Sequence, residues 1–486
     1  MLKARANLLS ASLALLGMLA ASTSSAQVPA APPDGHAIAS RTNPHTPNEL
    51  SQALDSYMNA RVALNDFSGS VLVARRGRIL LVRGYGTANR EWGIPNATNT
   101  KFRIGSLTKQ FTAMLIMQLS ENHQLQVTDQ ICKYLSPCPD SWTAITIREL
   151  LSHTSGIPDF TGDPDFKLTD VLPRTVEEVI AIFRNKPLEF KPGASWKYSN
   201  SGYVLLGAII ERVTGRPYED VLSEQILRPL KMSDTGYDRH RPILMHRAAG
   251  YVVSDGTISN APYVETSWAH AAGAMYSTVL DLYRWDRALY SDALLPLSSL
   301  KEMWTPVSDG YGYGWGIVQS GVGARKRLEL THDGGIDGFR SHISRFPEDR
   351  SVVIVLGNIE KPEAGSIGNA LAAIIFGEPY AMPTKAPSIV DLSAFDQYLG
   401  DYEVDKNGIV RVTRDEADLK VQLLDAPGQP IFVATRLTSN QVWVDNLGIT
   451  IQFKAGADLR ESSLVVQAPG KDQREGHRVS ARQDTE

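Results

Sequence analysis

Two β-rich segments far apart in the chain constrain its fold more than any other feature. Ser68 to Arg83 alternates (Val71, Val73, Ile79, Leu81) around an Arg76-Gly77 turn signal, and Val352-Val353-Ile354-Val355-Leu356 is a continuous apolar run. Between them lie apolar residues at helical spacing, such as Phe111, Met114, Leu115 and Leu119. Strands needing partners at both ends of such a stretch predict an α/β (α+β) class: one antiparallel sheet closed by distant segments, flanked by helices, with a helical subdomain inserted between its halves.

The rest of the 486 residues is too much for one core. Residues 1–26 read as a secretory signal, with Lys3 and Arg5, an apolar stretch from Leu8 to Ala21, and Ser24-Ser25-Ala26 before Gln27. Export to the periplasm or medium is therefore expected, with no membrane span in the mature chain, because the apolar stretch is short and alanine-rich. Residues 27–45 read as a flexible leader. Thr46-Pro47-Asn48-Glu49 then has the pattern of a capped helix start. The main domain is expected over 46–380 and a Pro-marked linker over 381–391. Over 392–470 the period changes to two (Leu419, Val421, Leu423; Val442, Val444; Ile451, Phe453), predicting a small antiparallel β domain, barrel or sandwich. Residues 471–486 read as a polar tail.

Acidic and basic residues are mixed and the net charge is −4, so no basic stripe exists to hold nucleic acid. The two cysteines, Cys132 and Cys138, flank a Pro-containing loop, which in an exported protein reads as a disulfide. No cofactor is implied, and no metal: His332, Asp333 and Asp337 lack the spacing of a zinc helix or calcium loop.

Three short motifs carry candidate chemistry. In Ser106-Leu107-Thr108-Lys109 the serine sits at the first turn of an apolar helix with the lysine one turn along the same face. Burial disfavours the charged lysine and frees an amine to act as base, while the helix start offers amide donors to an oxyanion. In Tyr198-Ser199-Asn200, Tyr198 and Asn200 share one side of an extended segment. A Tyr198 phenolate would take the serine proton, and Asn200 would orient Lys109 or hold a substrate carbonyl. In His332-Asp333-Gly334-Gly335 the glycines admit a substrate backbone against a strand edge, and His332 is a donor for a substrate carboxylate or carbonyl.

The bare patterns recur elsewhere, as Ser298-Ser299-Leu300-Lys301 and Tyr57-Met58-Asn59, so context decides. Ser299 and Glu302 have the spacing of a capping box. His153, between a helical pattern and a Gly turn, reads as a structural cap. A Gly-x-Ser-x-Gly elbow does not occur, which argues against that form of a Ser-His-Asp triad.

Together with Leu150-Leu151-Ser152-His153-Thr154-Ser155-Gly156-Ile157, Tyr311-Gly312-Tyr313-Gly314-Trp315-Gly316 and Ala272-Gly273-Ala274-Met275-Tyr276-Ser277-Thr278, these motifs resemble the serine β-lactamase and penicillin-binding-protein superfamily over Glu49 to Tyr380. The branch is that of class C β-lactamases, DD-carboxypeptidases, D-aminopeptidases and esterases. The resemblance implies a β-lactamase/transpeptidase-like fold with Ser106 acylated, Lys109 and Tyr198 sharing proton transfer, Asn200 contacting substrate, His332 standing where β-lactamases have lysine, and an oxyanion hole from the Ser106 and Gly335 amides. Phe395-Asp396-Gln397-Tyr398-Leu399-Gly400-Asp401-Tyr402 resembles the lipocalin-like domains appended to such hydrolases.

Two departures from the family pattern stand out. Gly273-Ala274 replaces paired glycines and bears on the adjacent wall, and His332 tilts the expectation from β-lactamase toward peptidase or esterase. The expected function is an exported serine hydrolase forming an acyl-enzyme on D-amino-acid peptide amides, with small peptides or esters, and peptidoglycan, as candidate partners. The alternatives are a carboxylesterase or β-lactamase of the same family, or a catalytically weak cell-wall-binding protein. Pocket walls are expected from loops such as Asp159 to Pro173 and Tyr237 to Pro262.

Overall fold

The computed structural model describes residues 46–383 except 168–169, 255–256, 322–325 and 362–363, and residues 392–479 except 405–407, 416–417, 425–430, 439, 445–448, 457–460 and 468–472. The proposed signal and leader, and most of the proposed linker, lie outside the described residues. The described residues form two compact units, one within 37–384 and the other within 385–486.

Helix α1 (Pro47–Ala63) begins with the expected capping box, Thr46 and Glu49 bonding each other's backbone amides, with proline in the first turn. Strands β1 (Gly69–Arg75) and β2 (Arg78–Tyr85) form a hairpin whose turn residues Arg76 and Gly77 have φ of 51° and 75°. Both lie in the left-handed region that suits the right-handed twist of a hairpin. Next come α2 (Thr108–Glu121), α3 (Ile147–Leu151), α4 (Asn200–Thr214) and α5 (Val279–Ala288), then β3 (Gly316–Ser320), β4 (Arg327–Ile336), β5 (Phe339–Phe346), β6 (Ser351–Gly357) and α6 (Ala364–Phe376).

The six strands make one antiparallel sheet in the order β3-β4-β5-β6-β1-β2. The two sequence-distant β-rich segments are direct neighbours, Val71 facing Val355 and Val73 facing Val353 in register. The continuous apolar run of β6 follows from burial on both faces, and β1, read as alternating, is buried on both faces as well. Val71, Val73, Val353 and Val355 pack with Leu54 and Tyr57 of α1 and Ile367 and Leu371 of α6. Leu72, Ile354 and Leu356 join the larger core that contains Phe111 and Met114 of α2 and the helical segments inserted between β2 and β3.

The decoy motifs prove inert. Tyr57 lies inside α1 with its hydroxyl accepting from Arg61. Ser299 is inside a helix (Leu297–Met303) capped by Pro296, and it donates to Glu121. The capping box expected at Ser299 and Glu302 is therefore not formed, because the helix starts two residues earlier, at Leu297.

The second unit is a closed antiparallel barrel of β7 (Gly400–Val404), β8 (Gly408–Arg414), β9 (Leu419–Leu423), β10 (Ile431–Thr438), β11 (Gln441–Val444), β12 (Ile449–Lys454), β13 (Ser463–Gln467) and β14 (Arg474–Val479). Inward residues such as Leu419, Val421, Val442, Val444, Ile451 and Phe453 fill it at period two. The polar tail expected from 471 requires correction, because Arg474–Val479 is the closing strand and pairs with both β7 and β13. Its inward position is Gly476, where a Cβ would lie 2.8 Å from Val404 and 2.9 Å from Leu464, so the strand shows no apolar signal there. Cys132 and Cys138 are disulfide-bonded with Cα atoms 5.4 Å apart.

Candidate active site

The chain turns sharply into α2 through Gly105–Leu107, which leaves Ser106 half-buried at the cleft and buries Lys109 completely. Gly105 takes φ of 49°, and a Cβ there would sit 2.8 Å from the Gly335 nitrogen. The close approach of these two backbones requires glycine.

Lys109 Nζ lies 3.0 Å from Ser106 Oγ, 2.8 Å from Asn200 Oδ1 and 2.8 Å from the Ala272 carbonyl. Burial draws its pKa down from 10.5 to about 7, against the opposing pull of Asp159. The amide and backbone oxygens can only accept, so in the neutral amine they occupy both N–H bonds. The lone pair that remains faces the serine hydroxyl.

Ser199 is extended, at φ −143° and ψ 117°, immediately before α4, which puts Tyr198 and Asn200 on the same side as expected. Burial pushes the Tyr198 phenol well up, with Asp159 and Asp333 adding and the Ser106 hydroxyl opposing. Tyr198 is therefore held as a phenol. Lys109 Nζ lies 4.8 Å from the Tyr198 ring centroid, so the two groups expected to share proton transfer are neighbours.

Two residues that sequence reasoning gave no chemical role support this pair. Asp159 accepts from Asn200 Nδ2 at 3.0 Å and from the Asn200 backbone at 3.3 Å, and its Oδ1 and Oδ2 also take the Thr161 amide and hydroxyl. His153, at φ 61° after α3, is the expected cap, yet its ring also lies 4.3 Å from that of Tyr198, and its Nδ1 accepts from Ser199 N at 3.2 Å. Asp159 stands two residues after the Leu150–Ile157 motif, and that adjacency was the available signal.

His332 and Gly334 depart from expectation. The imidazole is buried, its Nδ1 lies 2.6 Å from the Asp333 carbonyl and its Nε2 lies 2.8 Å from the Tyr311 hydroxyl. Burial and the Lys109 charge lower its pKa to about 4. Both nitrogens are engaged within the protein, so the donor role toward substrate is not formed here. Gly334 faces away from the cleft: a Cβ would lie 2.1 Å from the Ile104 carbonyl oxygen and 2.2 Å from Ser341 Oγ. Close packing, not substrate, requires that glycine. Gly335 does line the cleft, on the part of β4 that runs past β3, which pairs only with residues 327–331.

The cleft is a cavity of about 350 Å³ holding Ser106, Asn200 and Gly335. Trp268, Ala269, Ala272 and Ile336 supply apolar wall, and Asp337, Arg340 and Glu360 a charged end where Arg340 bonds Glu360 at 2.7 Å. Thr161 comes from the first loop expected to form the walls, and among the described residues the Tyr237 to Pro262 loop contributes none of the lining. Ala274 is buried and outside the lining, so the Gly273-Ala274 departure leaves the wall unchanged. Among the described residues no cluster suited to a metal ion occurs, and no helix is long and apolar enough to cross a membrane.

The family model described as Beta-lactamase matches residues 54–375. The chain is 29% identical over 430 residues to penicillin-binding protein 4* of Bacillus subtilis (strain 168), covering 82% of this chain and 93% of that protein. A solved D-stereospecific amidohydrolase from Streptomyces sp. superposes with a TM-score of 0.54 at 28% identity, over 67% of this chain and 98% of that one. The octameric penicillin-binding protein homologue from Pyrococcus abyssi shares the fold at a TM-score of 0.62 and 24% identity, over 87% and 99% of the two chains.

Proposed function

The chain belongs to the Beta-lactamase family of serine hydrolases, and from that premise we propose that it hydrolyses amides of D-amino acids, in short peptides or simple amides, through an acyl-enzyme on Ser106. The observation that carries this reading is Lys109 Nζ, 3.0 Å from Ser106 Oγ and held by two fixed acceptors, which in the neutral amine leaves its lone pair for the serine proton. A pKa of about 7 makes that amine available at neutral pH.

Ser106 Oγ bonds to the acyl carbon as Lys109 takes its proton, and the oxyanion meets the amides of Ser106 and Gly335. Collapse breaks the C–N bond. The departing amine receives the proton from Lys109, with the Tyr198 phenol as relay. Water then repeats the sequence in reverse, giving the acid and free serine. The D-amide substrate is supported by the likeness to an amidohydrolase named for D-stereospecificity and by a cleft of about 350 Å³ beside Ser106 that suits a small substrate. Export is proposed from the basic and apolar pattern of residues 1–26, in keeping with the Cys132–Cys138 bond.

The test is turnover of paired D- and L-alanine and phenylalanine amides and alanyl dipeptides by the full chain and by Ser106→Ala. Faster turnover of the D-series, abolished in the variant, is expected. Equal turnover of both series, or activity retained without Ser106, would overturn the reading.

A further inference from the structure

His332 lies beside the reacting groups, its ring centroid 6.3 Å from that of Tyr198, yet it is engaged away from them. A backbone carbonyl only accepts, so the contact with Asp333 O places a proton on Nδ1. The Tyr311 hydroxyl then donates to Nε2. The groups that face the imidazole are the Lys109 amine, the Asp333 carboxylate, His153, His342, and the Tyr198 and Tyr311 phenols. Lys109 and burial oppose a charge on the ring, while Asp333 and its carbonyl favour one. The opposing effects prevail, in keeping with a single ring proton.

Tyr311 is itself clamped. Its backbone bonds Ser308 and its ring lies 4.7 Å from His153 and 6.0 Å from Trp196. Three residues on, Gly314 at φ 74° packs so closely on the Lys109 carbonyl that a Cβ would lie 2.8 Å from it. This fixes the segment bearing Tyr311 to the helix bearing the catalytic lysine. The basic residue among those lining the cavity is Arg340, and its guanidinium bonds Glu360 and the Phe339 carbonyl.

We infer that Tyr311 is a positioning residue that holds His332 with its proton on Nδ1 and its Nε2 lone pair occupied. His332 then offers the substrate no proton from Nε2, and Arg340, the cation among the described lining residues, is held by Glu360 and the Phe339 carbonyl, so the site selects acyl donors whose leaving group lacks a free carboxylate. Simple amides and esters are accordingly the preferred class over peptides cleaved next to a carboxy terminus. The inference rests on the serine mechanism above for its substrate consequence, and on geometry alone for the tautomer.

Two readouts on the full chain test it. With ¹⁵N-histidine labelling, and His332 assigned by loss of its signals in His332→Gln, long-range ¹H–¹⁵N spectra at neutral pH should show a protonated Nδ1 and a bare Nε2. In Tyr311→Phe the Nε2 resonance should move while far-ultraviolet circular dichroism is unchanged. The ratio of kcat/KM for D-alanine p-nitroanilide to that for an N-acyl-D-alanyl-D-alanine should favour the anilide in wild type and fall by about tenfold in Tyr311→Phe, as Nε2 becomes free to take a proton and meet the carboxylate. A wild-type His332 protonated on Nε2, or an unchanged ratio in a folded Tyr311→Phe, would overturn the proposal. The tautomer readout needs no turnover, so failure of the serine mechanism is seen separately, as absent labelling of Ser106.

Discussion

Asp159 decides which way Asn200 faces. Its carboxylate accepts from Asn200 Nδ2 at 3.0 Å and so turns Oδ1 toward Lys109, 2.8 Å away. The same carboxylate favours the charged form of Lys109, which makes it both an orienting group and a tuning group.

Asp159→Asn should therefore act twice. Loss of the fixed amide orientation should lower kcat/KM by about 10 to 100-fold, within the range of positioning and acid-base losses. Loss of the negative charge should move the acid limb of the pH–rate profile to lower pH, since the ammonium form of Lys109 loses a stabilising neighbour. A kinetic profile over pH 5 to 9 checks both effects.

In wild type, kcat/KM should rise with pH through a midpoint near the Lys109 pKa of about 7, because only the neutral amine accepts the serine proton. The same shift bears on stability. An unfolded lysine binds its proton up to about pH 10.4, so between pH 7 and that value the unfolded state holds more protons and stability rises with pH. Wild type should gain stability relative to Lys109→Met between pH 7 and 10. Urea unfolding of both proteins at the two pH values measures this.

The adjacent glycines should separate by function. A Cβ on Gly334 meets the Ile104 backbone at 2.1 Å, whereas one on Gly335 meets the flexible tip of Arg340 at 3.2 Å. Gly334→Ala should cost at least the 1–3 kcal/mol typical of overpacking, roughly. Gly335→Ala should fold and lose kcat. Thermal melts alongside turnover distinguish them.

Reduction of Cys132–Cys138, or Cys132→Ser with Cys138→Ser, should lower stability by about 2 kcal/mol, the chain-entropy expectation for so short a loop. Labelling of Ser106 should persist below the lowered melting temperature, because the staple does not line the cleft.

The parts legible in the sequence were those with a local period or a local turn. Val352 to Leu356 and the Arg76-Gly77 hairpin announced the sheet, and Ser106 with Lys109 announced one end of the site, because i and i+3 positions meet on any helix. What escaped depends on the backbone or on a distant partner. The Ala272 carbonyl has no side-chain signature, Asp159 acts only through Asn200, and the Tyr311–His332 bond joins different segments. The barrel's closing strand was hidden because its inward position is glycine and its other residues up to the terminal Val479 are polar. His332 looked like a donor since sequence displays a side chain without its occupied lone pairs.

The central claim is that Ser106 becomes covalently acylated. Intact-mass and peptide-mapping spectrometry of the full chain after brief exposure to a fluorophosphonate or penicillin tests it most directly. The account predicts one adduct, mapped to the peptide carrying Ser106 and absent in Ser106→Ala. An adduct on another residue, or none under conditions where D-amino-acid amides are turned over, would contradict it.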